Sequence, residues 1–90
     1  MMKTINPFID FLPSIDLHGY DRVSARIKTE EFINDSVKLR NKRVVIIHGK
    51  GMGIVKEEVY KVLKNNTNVS NYKLDGFNTG VTVVDIKIKK

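Results

Sequence analysis

Only two histidines occur in this chain, and each is followed at once by glycine: His18-Gly19 and His48-Gly49. An imidazole accepts or donates a proton near neutral pH, and glycine lets the backbone turn sharply beside it. Asp16 stands two residues before His18. In an extended strand that spacing puts both on one face, where the carboxylate can orient or polarise a neighbouring group. His48 opens His48-Gly49-Lys50-Gly51-Met52-Gly53, a turn with glycine at alternate positions. A helix starting near Ile54 points its N-terminus, with unpaired N–H groups and partial positive charge, back at that turn. Asp16, His18 and His48 therefore make a candidate general acid–base set, with a phosphate held on the turn amides. The pattern suits phosphodiester cleavage, and it suits phosphate binding alone equally well. A plainer reading is that each histidine satisfies a loop carbonyl and each glycine serves a tight turn.

Other chemistries find less support. With no cysteine, disulfides, thiolate zinc sites and cysteine nucleophiles are excluded. No serine lies in a strand-to-helix elbow. Asp16, His18 and His48 could supply three metal ligands, but no further His or Cys completes a closed site. No tightly bound cofactor is expected; a loosely held Mg²⁺ or other divalent cation bridging protein and phosphate stays open. Gly49-x-Gly51-x-Gly53 is not a dinucleotide fingerprint, because its third glycine follows two residues after the second. Nor is it a P-loop, since no Gly-Lys-Ser/Thr closes it.

The elements that position these residues follow from hydrophobic spacing. Residues 1–13 form an arm in which Phe8, Ile9, Phe11 and Leu12 lie between Pro7 and Pro13 and are expected to pack on the domain. Residues 14–90 form the domain itself. Ser14 to Gly19 reads as a short strand with Ile15 and Leu17 on one face and Asp16 and His18 on the other. Asp21 is a suitable N-cap for a helix over residues 22–39, with Ala25, Thr29, Phe32, Ile33 and Ser36 on one stripe. Val44 to Ile47 is a β-branched run covered on at least part of both faces. Val55, Val59, Val62 and Leu63 mark an amphipathic helix that Asn65 to Asn68 stops, and Glu57 and Lys61 pair on its wet face. Val69 to Leu74 is a third strand, 75–80 a loop, and Val81 to Ile88 a fourth strand with Val84, Ile86 and Ile88 toward the core. The order β-α-β-α-β-β makes the first three strands parallel, the fourth antiparallel, and places both helices on one face. His18, His48 and the 75–80 loop then share one sheet edge, where open α/β sheets bind ligands.

Length and composition set the bounds. Ninety residues, 41% hydrophobic and 29% charged, suit one soluble globular domain. There is no long apolar segment, so no membrane association is expected and the protein is expected in the cytoplasm. The net charge is +6. Residues 36–56 carry Lys38, Arg40, Lys42, Arg43, Lys50 and Lys56 without an acidic residue. Such a run brackets the glycine turn and suits a polyanion such as DNA or RNA. The alternative is a solvated helix end and loop. The apolar arm could instead serve a protein-interaction adaptor. Oligomeric state and the choice between DNA and RNA are open.

Ile15-Asp16-Leu17-His18-Gly19 and Ile47-His48-Gly49-Lys50-Gly51-Met52-Gly53, with a helix between them, resemble the paired Leu-Asp-Leu-His-Gly and His-Gly-x-Gly motifs of the Smr (small MutS-related) domain. The resemblance covers about residues 14–88. It implies an α/β two-layer sandwich like the C-terminal domain of bacterial translation initiation factor three, with a four-stranded mixed sheet of order 1-2-4-3. It also implies a nucleic-acid-binding module, in several members a nicking or RNA-cleaving endonuclease, with the ribosome or a repair or recombination assembly as partner. Asp16 and His18 match the first motif; His48, Gly49, Gly51 and Gly53 match the phosphate-contacting turn. The expected contact set is then Gly19, Gly49, Lys50, Gly51 and Gly53, with Lys42, Arg43, Asn78 and Thr79 around it. One departure stands out. Many Smr domains have a glycine-rich segment before the last strand, where Phe77-Asn78-Thr79-Gly80 offers one glycine, which bears on catalysis more than on binding.

Overall fold

The computed structural model describes residues 11–88. Strand β1 (Ser14–Asp16) is followed by helix α1 (Arg22–Lys38), β2 (Arg43–Ile47), α2 (Ile54–Asn65), β3 (Val69–Leu74) and β4 (Val81–Ile86). The four strands form one sheet in the order β1-β2-β4-β3. β1 pairs parallel with β2, while β4 runs antiparallel to both β2 and β3. The α2 crossover therefore skips a strand position, and β4 returns to fill it.

Alternation along the strands sorts the side chains into two layers. Val44 and Ile46 of β2 and Val84 and Ile86 of β4 pack with Ala25 and Ile33 of α1 and Val55, Val59 and Leu63 of α2. Both helices thus lie on one face, and Leu17 closes that core beside β1. The predicted α1 stripe is buried at Ala25, Thr29, Ile33 and Ser36, with Phe32 half-buried. Its two hydroxyls are satisfied locally, Thr29 donating to the Ala25 carbonyl and Ser36 to that of Phe32, each at 2.7 Å. A helix stripe can therefore include Thr and Ser without orphaned polar atoms. On the opposite face Val45 and Val81 are buried, with Leu12, Ile47 and Val83 against them. Leu12 packs as the arm was expected to; Phe11 is exposed instead, and Phe8 and Ile9 lie outside the described residues.

Two further differences from the expected elements concern strand ends. β1 stops at Asp16; the Leu17 N–H still donates to the Ile47 carbonyl at 2.7 Å, and the next amide, that of His18, turns to the Asp16 carboxylate. β4 ends at Ile86, and Ile88 still packs on the helix-covered core.

Candidate functional site

The parallel strands β1 and β2 end at the same edge, and β4 begins there. His18, Gly49 and Gly80 converge at that point. The Gly80 carbonyl accepts from the N–H groups of both His48 (2.9 Å) and Gly49 (3.0 Å). A Cβ on Gly80 would stand 3.1 Å from the Gly49 carbonyl carbon, so a larger residue would fit only if this main-chain approach loosened by a few tenths of an ångström. Gly49 has φ +84°, and a Cβ there would meet the His18 Cβ at 3.1 Å. The loop behind Gly80 is pinned by buried Asp75, which accepts from the N–H groups of Phe77 (3.2 Å) and Asn78 (2.8 Å). Asn78 Oδ1 in turn accepts from the Gly80 N–H at 2.9 Å. Where many Smr domains have a glycine-rich segment, Phe77 to Gly80 offers one glycine, and the Asp75 and Asn78 side chains hold the loop.

The two histidines play different parts. Asp16 Oδ1 accepts from the His18 backbone N–H at 3.1 Å and from its ring Nδ1–H at 2.6 Å. The His18 side chain is 72% exposed, and among the described residues no group bonds its Nε2. Partial burial raises the Asp16 pKa, but the side-chain and backbone hydrogen bonds from His18 and its charge outweigh that and leave the carboxyl below its ordinary range. His48 is only 4% exposed. Its Nδ1 lies 3.1 Å from the Gly49 carbonyl, which can only accept, so Nδ1 carries the proton. Nε2 then accepts from the Thr82 hydroxyl at 2.8 Å, and Thr82 accepts from the Tyr60 hydroxyl at 2.9 Å. Burial lowers the His48 pKa; the Gly49 carbonyl works against that and the charge of Lys56 adds to it. Both ring nitrogens of His48 thus have partners within the protein, one of them a loop carbonyl, whereas the His18 ring bonds the Asp16 carboxylate.

Asp16, His18, Lys50 and Met52 border a cleft of about 1100 Å³ that reaches Arg22 and the start of α2. α1 is capped by Asp21, whose carboxylate accepts from the Ser24 N–H at 2.7 Å. α2 begins at Gly53 with no side-chain cap. Among the described residues, the N–H groups from Lys50 to Lys56 have no backbone acceptor. The His48 and Gly49 amides are spent on Gly80, so among the described residues the turn amides without a backbone acceptor begin at Lys50. A Cβ on Gly51 would meet nothing within 4 Å, so nothing in the free protein requires glycine there.

Of the residues singled out from sequence, Asp16, His18, Gly19, His48, Gly49, Lys50, Gly51, Gly53 and Asn78 border the cleft. Thr79 is exposed beside it and does not line it. Lys42 and Arg43 are elsewhere: they sit at the start of β2, a strand length of about 13 Å from its cleft end. Arg43 is bound to Asp85 at 2.7 Å. Lys38 and Arg40 share that far end, because α1 runs back down the sheet. The basic run is continuous in sequence and split in space. Arg22, Tyr60, Gly80 and Thr82 were missed. Thr82 had a signal, since alternation puts it on the core face with Val84 and Ile86, where a hydroxyl needs a partner. No group of three or more acidic, His or Cys side chains able to hold a metal occurs among the described residues. His48 turns its nitrogens inward, so it does not join Asp16 and His18 as a third ligand, and no chemical step is derived through a metal.

An exposed acid–histidine pair beside a glycine turn, on a β-α-β-α-β-β sandwich, defines a class of small α/β domains with the site at the parallel strand ends. The chain belongs to the Smr domain family, whose profile matches residues 15–87. It is 38% identical over 77 residues to Endonuclease MutS2 of Clostridium kluyveri and 39% identical over 77 residues to that of Clostridium acetobutylicum, in each case 82% of this chain. It spans 10% of the length of each of these relatives. The Smr domain of Thermus thermophilus MutS2 superposes with a TM-score of 0.80 at 22% identity, over 84% of this chain and 99% of that one. YdaL, a stand-alone small MutS-related protein from Escherichia coli, gives 0.74 at 25% identity, over 82% of this chain and 63% of that one. No helix among the described residues is long and apolar enough to cross a membrane.

Proposed function

We propose that this domain binds structured DNA or RNA and cleaves a phosphodiester bond at the His18 end of the cleft. The observation that carries the reading is the exposed Asp16–His18 pair, joined at 2.6 Å beside a turn whose amides from Lys50 onward have no backbone acceptor among the described residues. Asp16 fixes the tautomer with the proton on Nδ1, which leaves Nε2 as a base toward the cleft. Nε2 takes the proton of the attacking hydroxyl or water as its oxygen bonds to phosphorus, the bond from phosphorus to the leaving oxygen breaks, and that oxygen takes a proton from solvent water. Amides of the turn and the uncapped α2 N-terminus hold the phosphate and stabilise its added charge. Lys50 adds a screening cation. The similarity to proteins named Endonuclease MutS2 supports the same reading.

The direct test is incubation of wild type, His18→Ala and Asp16→Asn with supercoiled plasmid, branched DNA and structured RNA, with and without Mg²⁺. Cleavage by wild type, reduced about 10²-fold or more in both variants, is the expected result. Equal cleavage by all three would remove the pair from the chemistry. A second reading, a binding module without cleavage, is favoured by one observation: His48 is locked inside, so a single histidine is left for proton transfer. Salt-sensitive binding without cleavage under every condition would establish it.

A further inference from the structure

A second groove, of about 560 Å³, begins at Gly53 and runs along α2 between Lys56, Lys64 and the rings of Tyr60 and Tyr72. Gly53 borders this groove and the cleft alike, so the two meet at the start of α2. The tyrosines, both half-buried, meet edge to face with ring centroids 5.2 Å apart. Lys56 Nζ lies 5.6 Å from the Tyr60 ring centroid. Among the described residues, neither Lys56 nor Lys64 has a carboxylate within salt-bridge reach. The acidic residue on the groove wall, Glu57, is neutralised by Arg22 at 3.2 Å and Lys61 at 3.4 Å. Aromatic rings interleaved with unpaired cations are the arrangement that tracks a single strand, with bases on the rings and phosphates on the ammonium groups.

We propose that this groove is a binding track for an unpaired nucleic-acid strand leaving the cleft, with one base against the Tyr60–Tyr72 pair and phosphates on Lys56 and Lys64. The inference rests on the nucleic-acid reading above and adds to it a substrate class: strands unpaired on one side of the phosphate held at the glycine turn. Charge complementarity and the shared Gly53 wall choose this occupant. Tyr60 also anchors the Thr82–His48 chain beneath Gly49, so a base on its ring sits against the scaffold of the turn.

The test is binding of fluorescein-labelled thymidine oligonucleotides of about five and about fifteen nucleotides, lengths that bracket the usual site size of a single-strand groove. An oligo-glutamate peptide serves as a third probe. Wild type, a Lys56→Ala/Lys64→Ala double variant and Tyr72→Leu are compared, with thermal melts to confirm folding. The surface lysine pair keeps the test decisive even if Tyr72→Leu unfolds. Wild type should hold the longer strand several-fold more tightly than the shorter. The lysine variant should lose about ten-fold on the longer strand and flatten its log–log salt slope by about 0.7 per lysine, with the shorter strand unaffected. Tyr72→Leu should lose about five-fold on the longer strand alone. Equal wild-type affinity for both lengths, or a lysine variant that matches wild type, overturns the track while leaving the cleft reading intact. Binding of neither oligonucleotide overturns the track, while the cleft reading is decided separately by the plasmid, branched-DNA and structured-RNA assay. Tighter binding of oligo-glutamate than of the longer strand reassigns the groove to an acidic protein partner.

Discussion

At the residue scale, the division between the histidines governs what substitutions will do. His48, Thr82 and Tyr60 form a chain in which each hydroxyl proton has one acceptor. Thr82→Val keeps the shape but leaves Nε2 and the Tyr60 hydroxyl without that partner. It should cost about 1–3 kcal/mol in urea unfolding. The same chain makes stability depend on pH. Because the folded pKa of His48 is depressed below 6.5, the unfolded chain takes up the proton first as pH falls. Melting temperature should thus be flat above about pH 7 and decline from about pH 6.5 downward. A second decline should follow as Asp16 and Glu58, both depressed below their ordinary values of 3.8 and 4.5, become protonated. Arg22 is the main cause for Glu58, opposed by desolvation and aided by Lys61. His48→Gln, although less stable overall, should lack the first decline; retention of it would place the titrating group elsewhere.

At the element scale, α1 ends in a Schellman arrangement: the Arg40 N–H donates to the Val37 carbonyl at 3.1 Å and the Asn41 N–H to that of Ser36 at 3.0 Å. Arg40 occupies the left-handed position with φ 59°, which a side chain disfavours. Arg40→Gly should raise stability by about 0.5–1 kcal/mol in the same unfolding assay; a loss would mean that the Arg40 side chain makes a contact of its own. Nothing in the sequence marks Arg40 as the left-handed residue of the turn into β2. The elements themselves were legible because apolar spacing is decisive in each: Val55, Val59, Val62 and Leu63 are all buried on α2. Ile15-Asp16-Leu17-His18 gave the Asp16–His18 face directly, since alternation fixes it. What could not be read were partners distant in sequence. Glu58 lies one residue before a core valine, and its burial follows only when Arg22 of α1 arrives at 2.8 Å. Likewise His48 looked like an edge residue until Thr82, paired with β2 at Ile46, set a hydroxyl against its ring.

For the whole molecule, the charge of +6 is not gathered into one patch, and this decides which cations matter to a polyanion in the cleft. Lys50→Ala should flatten the log–log salt slope of DNA binding by about 0.9. Lys42→Ala, at the far end of β2, should leave short-substrate binding unchanged. Arg43→Ala should act only through its exposed pair with Asp85, an effect of at most about 1 kcal/mol on stability. In the proposed function the glycine turn holds phosphate and the Asp16–His18 pair moves a proton. One gel experiment separates the two: wild type, His18→Ala and Gly51→Ala titrated against a single labelled branched substrate, with bound and cut fractions read together. Gly51→Ala places its methyl in space that is open in the free protein, so its melt should match wild type. The predicted result is retained binding without cutting for His18→Ala, and lost binding with an unchanged melt for Gly51→Ala. Cutting by His18→Ala at the wild-type rate, or wild-type binding by Gly51→Ala, would contradict the account.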